Sequence, residues 1–95
     1  MKTKKVIVRT EKAGVFFGEI KERNGSEVTM TKCRKLWYWS GAAAVEQIAI
    51  DGVKNVSDCK FTVEVDEMVL LGVIQVILCT EKAVTSIKSV PEWKR

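Results

Sequence analysis

Histidine is absent from these 95 residues, and without an imidazole neither a Ser-His nor a Cys-His nucleophile can be assembled within one chain. Cysteine is scarce. Cys33, Cys59 and Cys79 lie far apart without the paired spacing of a zinc site, and their odd number argues against a disulfide framework. These absences predict no metal, no cofactor and a reducing, cytoplasmic setting. Long apolar runs are missing too. Met68 to Leu71, with Val73 and Ile74 after Gly72, falls far short of the roughly 20 residues of a membrane helix. The basic N-terminus offers only Val6-Ile7-Val8 before Arg9, so no secretory h-region is expected. Gly14 and Gly18 form neither a three-glycine dinucleotide fingerprint nor a phosphate loop ending in Gly-Lys-Ser/Thr.

What is present reads as one folded domain over residues 1–95. Hydrophobic residues make up 46% and charged residues 29%, so the low hydrophobicity of a disordered chain does not apply. Sixteen Lys and Arg against twelve Asp and Glu leave a net charge of +4, which suits an anionic partner without demanding one.

Val6–Thr10 and Val15–Ile20 are β-branched or aromatic runs separated by a glycine-containing turn, which predicts a hairpin. Asn24-Gly25 marks a second hairpin, because both central positions of its mirror-image turn need positive φ. In Glu27–Cys33, Val28 and Met30 alternate with threonines, as in a half-buried strand. Arg34–Trp39 reads as a further extended segment with Trp37 and Trp39 on one side and Tyr38 on the other. Ser40 is the expected N-cap of a helix over 41–50, with Gly52 closing it. Phe61–Val65 alternates as a strand, and Asp66-Glu67 is expected in the turn after it. Met68–Cys79 divides into two strands at Gly72, and Thr80 caps a final helix from Glu81 to about Ser89. The fold class is therefore α+β, a mainly antiparallel sheet of about six strands with two α-helices. Exposed edges and a small core predict a homo-oligomer.

Arg34-Lys35 beside Trp37-Tyr38-Trp39 combines cations for phosphate with flat rings for a base. Core or interface is the commoner role of tryptophan in a small domain. Arg9, in an apolar strand, is either a solvated edge residue or a phosphate fork. Asp66-Glu67 has the groups for acid-base work, although adjacent acids between strands are ordinarily a solvated turn.

Val6–Thr10, Ala13–Gly18 and above all Arg34-Lys35-Leu36-Trp37-Tyr38-Trp39-Ser40-Gly41-Ala42-Ala43 resemble the phage Thoeris anti-defence sponge family. The similarity runs on through Ile48–Lys54, Asp58–Phe61, Val65–Glu67, Cys79–Lys82 and Pro91–Lys94. The resemblance implies a protein that binds glycocyclic ADP-ribose, the signal made by TIR-domain proteins, and sequesters it without cleavage, so it is not an enzyme. It also implies an antiparallel sheet with two helices, a homodimer or hexamer with pockets between subunits, and in some members cyclic di- or trinucleotides as second ligands. Combined with suitable chemistry, it points to Arg9, Arg34 and Lys88 for phosphate and to Phe16, Trp39 and Phe61 for the base. Alanine at Arg9 or Arg34 is expected to weaken binding and leave melting unchanged. The alternatives are a single-stranded nucleic-acid binder, whose affinity falls steeply with salt, and a structural interaction domain that binds no nucleotide.

Overall fold

In a computed structural model, residues 5–93 are described; residues 1–4 of the basic N-terminus and Lys94 of the resembling tail lie outside them. Six strands and two α-helices follow in the order β1 (Val6–Thr10), β2 (Val15–Asn24), β3 (Glu27–Tyr38), α1 (Val45–Asp51), β4 (Lys60–Phe61), β5 (Val65–Leu70), β6 (Val73–Leu78) and α2 (Glu81–Ser89), with a short 3₁₀ turn at Val56–Asp58. The α+β class expected from the alternation is the one observed, and every strand pairing is antiparallel.

The strands run β4-β3-β2-β1-β6, with β5 beside the first half of β3. β5 and β6 thus sit at opposite edges, yet only Leu71 and Gly72 join them. A flat sheet would hold them about 19 Å apart, whereas three Cα steps reach at most about 11 Å, so the sheet must coil. Register shifts in the β2–β3 ladder at Phe17/Glu19 and Ile20/Glu22 provide the bend. Gly18 lies at the first of them, not in a turn. A Cβ there would stand 2.9 Å from the carbonyl oxygens of Thr31 and Lys32, and Lys32 itself has a φ of +49°. The close backbone approach at Gly18 is therefore made by the chain's own β3.

Coiling gives the sheet two buried faces. Val6 and Val8 join Phe16, Val28, Met30, Cys33, Leu70 and Val73 inside the coil. Ile7, between them, faces the other way and packs with Phe17, Leu36, Ile48, Phe61 and Ile87 under the helices. This is the period-two rule with both faces apolar. No helix among the described residues is long and apolar enough to cross a membrane.

Three boundaries differ from the sequence expectations. Arg34–Tyr38 continues β3 instead of forming a strand of its own, and Trp39 lies beyond its end. α1 begins at Val45, with Ala44 in the cap position; Gly41 has a φ of +88°, outside helical space, and Ser40 Oγ accepts from Asn55 instead of capping. Gln47 reaches back to accept the Ala43 N–H at 2.7 Å, which ties the segment before the cap to the first turn of the helix. The expected strand Phe61–Val65 shrinks to Lys60–Phe61, because Thr62 turns to bond Lys35 through both its N–H and its Oγ. Asp66 and Glu67 then fall inside β5, where Glu67 pairs with Lys21 at 2.9 Å. Thr80 does cap α2, accepting the Ala83 N–H at 3.1 Å, and Gly52 does end α1 with a φ of +75°.

Candidate functional site

The second half of β3 carries the residues singled out above, and its pairing with β4 sets their surroundings. Leu36 opposes Phe61, and Tyr38 opposes Lys60 across a local register shift. After α2, the chain returns beside β4: Phe61 forms a parallel bridge with Glu92, and the Trp93 N–H donates to the Phe61 carbonyl at 2.8 Å. Trp93 is thereby laid on Trp37, with ring centroids 4.7 Å apart and planes inclined by 21°. The Lys60 ammonium stands 5.6 Å from both ring centroids. Trp37 and Tyr38 are each about half exposed, at 52% and 51%. The result is an accessible aromatic shelf with one cation at its side, able to stack a planar base and to meet an anion next to it.

The six residues expected at a ligand site do not converge. Arg34 is only 6% exposed, and its guanidinium donates to five carbonyls: Thr62 at 2.9 Å, Val90 and Phe61 at 3.1 Å, Ile87 at 3.3 Å and Pro91 at 3.4 Å. All of its donor nitrogens are occupied within the chain, so as placed it offers no phosphate fork. Burial pushes its pKa down, while the charges of Glu92 and Glu64 act in the opposite sense. Phe61 lies 5.5 Å from that guanidinium and is fully buried, which denies it to a base. Phe16 is buried in the coil, with the Lys35 ammonium 6.0 Å from its ring. Trp39 packs partly buried against the helix-covered core.

The remaining two are exposed but lie among carboxylates. Arg9 acts on Glu46, whose carboxyl is held below its usual pKa by a backbone hydrogen bond, by Gln75 and by this guanidinium. Lys88 acts with Lys32 on Glu19, which forms a 2.8 Å ion pair with Lys5. Lys60 and Trp93 were not among the expected residues. A cation two positions after Asp58 carries no pattern of its own, and the tail's tryptophan gains meaning only from its bridge to β4. Trp37 was legible in the aromatic run, but nothing in that run says that it, and not Trp39, stays accessible.

A second concavity lies between the helices. About 500 Å³ is enclosed by the end of α1, by α2 and by the loop after Gly52, with Lys54, Lys82, Asp51 and Ser86 in its wall. Lys82 already faces Asp51 at 3.5 Å, and Ser86 Oγ both accepts from and donates to the Val53 backbone. The thiols are no better suited to chemistry. Burial raises the Cys33 pKa to about 12, with help from the charge of Glu64, and raises that of Cys79 to about 11. Neither is a thiolate nucleophile at neutral pH.

Residues 3–87 match the family model of a domain of unknown function, DUF6948. The chain belongs to the DUF6948 family. The matched span includes Trp37 and Lys60 and ends within α2, so the shelf's second ring, Trp93, comes from outside it. Neither the curated proteins nor the solved structures contain a match to this chain.

Proposed function

We propose that this DUF6948 protein is a binder without catalytic activity that sequesters a nucleotide signal, glycocyclic ADP-ribose, in the cytoplasm of a phage-infected host and so blocks Thoeris immunity. The observation that carries the nucleotide reading is the Trp37–Trp93 stack with Lys60 beside it. An adenine would stack on the exposed ring face, a contact worth roughly 1–3 kcal/mol, and the ammonium would meet the pyrophosphate. A sponge needs affinity alone, so the absence of histidine and the high thiol pKa values are no obstacle to it. The choice of glycocyclic ADP-ribose rests on the sequence resemblance, and cyclic di- or trinucleotides are possible second ligands on the same ground.

To test this, the protein is incubated with glycocyclic ADP-ribose, freed of unbound ligand and heat-denatured, and the released molecule is identified by mass spectrometry. Stoichiometric, intact ligand is the expected outcome. Degraded ligand would make the protein an enzyme, and an empty protein would reject this ligand.

The openness of the shelf favours a second reading, the stacking of single-stranded nucleic acid. Oligonucleotide affinity falling steeply with salt, with no preference for a cyclic linkage, would decide for it.

A further inference from the structure

A regular strand points residues three apart to opposite faces, and Met30 and Cys33 on β3 break that rule. Both are fully buried inside the coil. The cause lies between them at Lys32, whose φ of +49° makes it the one non-glycine residue with positive φ among those described. It resets the alternation, so that Cys33 joins the face of Val28 and Met30 while Arg34 and Leu36 turn to the helices. Backbone of this kind persists only where the surrounding structure holds it, and here it brings two sulfurs to one side.

The third sulfur comes from β5. Met68 lies opposite Met30 in the β3–β5 ladder and packs against the same cluster. Cys33 Sγ is 3.8 Å from Met30 Sδ and 4.0 Å from Met68 Sδ. A thiol has one proton and can donate to only one thioether at a time, whereas a bound ion would hold all three sulfurs. Three sulfurs bonded in a plane to one ion at about 2.3 Å, the length of a metal–thiolate bond, stand about 4.0 Å apart. Both separations match that spacing. Among the described residues, His, Cys, Asp and Glu alone form no metal-binding group of three, so the thioethers complete this set.

The donors also select the ion. Thiolate and thioether are soft ligands, which favour Cu(I) over hard cations. Burial disfavours a bare charge, but one thiolate with one monovalent ion is neutral, and the thioethers add no charge. A divalent ion would leave a net positive charge in an apolar coil. Met68 is only partly buried and sits on β5, which pairs with β3 alone among the described strands, so the cluster meets solvent at that edge.

We propose that Met30, Cys33 and Met68 form a three-sulfur site for Cu(I) within the coil of the sheet. Binding replaces the S–H bond of Cys33 by an S–Cu bond and releases the proton to water, with no change in oxidation state. In anaerobic titrations against the chelator bicinchoninate, the wild type should withdraw one equivalent of Cu(I), and copper X-ray absorption should find three sulfur neighbours at about 2.3 Å. Cys33→Ser and Met68→Leu should each lose that equivalent to the chelator. Met68→Leu conserves volume, so without copper its circular dichroism spectrum and melting should stay close to wild type. Copper should raise the Tm of wild type but not of this variant. A wild type that takes up no copper, retention by either variant, two sulfur neighbours in place of three, or equal retention of Zn(II) would overturn the proposal.

Discussion

Arg34 with Phe61 and Lys60 with the Trp37–Trp93 pair are two cation–aromatic groups built on the same two strands, with nearly equal separations of 5.5 Å and 5.6 Å. Their environments are opposite. Arg34 is buried and donates to five carbonyls, three of them at the end of α2, where the helix dipole favours a positive charge. Lys60 is exposed, and Trp37 beside it is about half exposed. A cation next to an aromatic ring is thus part of an accessible shelf in one place and a structural staple in the other. What separates them is whether donors and ring faces are already occupied by the chain, since only unoccupied ones can bind anything else.

That contrast can be broken most forcefully at Arg34. Arg34→Met strands five carbonyls and should destabilise the fold by about 3–5 kcal/mol, lowering Tm by more than about 10 °C. Arg34→Lys should rescue little, because an ammonium has three donors on a single atom. Melting within a degree or two of wild type would refute the staple, and it would restore the earlier expectation that alanine at this position affects binding alone.

Next in size is the shelf. Trp37→Ala and Trp93→Ala should each reduce nucleotide affinity at least tenfold, consistent with about 1–3 kcal/mol for a lost base stack. Stability should change by only about 0.5–1.5 kcal/mol, and a double-mutant cycle in thermal melts should show the two rings coupled. Undiminished affinity in isothermal titration would remove the shelf from the site.

A third cation lies between the extremes. Lys5 and Glu19 form a 2.8 Å pair with side chains 9% and 13% exposed, and the hydrogen bond from Lys5 holds the Glu19 carboxyl below its usual range. A depressed carboxyl pKa contributes stability that is fully present above the unfolded-state value and disappears as pH falls through the folded one. Glu19→Gln should therefore cost about 1 kcal/mol near neutrality, and its Tm should converge on wild type under acid, below the ordinary glutamate pKa. A deficit that stays constant from neutral to acid pH would contradict this role.

The smallest effect belongs to Lys60. Lys60→Met should leave melting within about 0.5 kcal/mol of wild type while flattening the salt dependence of nucleotide binding by about one phosphate contact. An unaltered slope would show that its ammonium serves the rings alone.

Much of the fold was legible. The β-branched runs, Asn24-Gly25, the division at Gly72 and the Thr80 cap each carry a local physical reason, and each element formed near where that reason placed it. The start of α1 was misread because Ser40 has the chemistry of a cap, while the backbone at Gly41 leaves helical space after it. The strand at Phe61–Val65 was misread because the alternation persists where Thr62 bonds away to Lys35. The site fared worse for a different reason. Trp37 and Trp93 are joined through a parallel bridge between segments remote in sequence, and no local pattern encodes that contact.

By itself, the sequence determined the alternating strands, their turns, the two helices and a chemistry without imidazole, because those depend on residue type and short-range spacing. The tertiary structure decided which aromatic stays exposed and which cation is saturated. Those outcomes follow from the coiling of the sheet and the return of the tail, which bring distant backbone carbonyls and rings together.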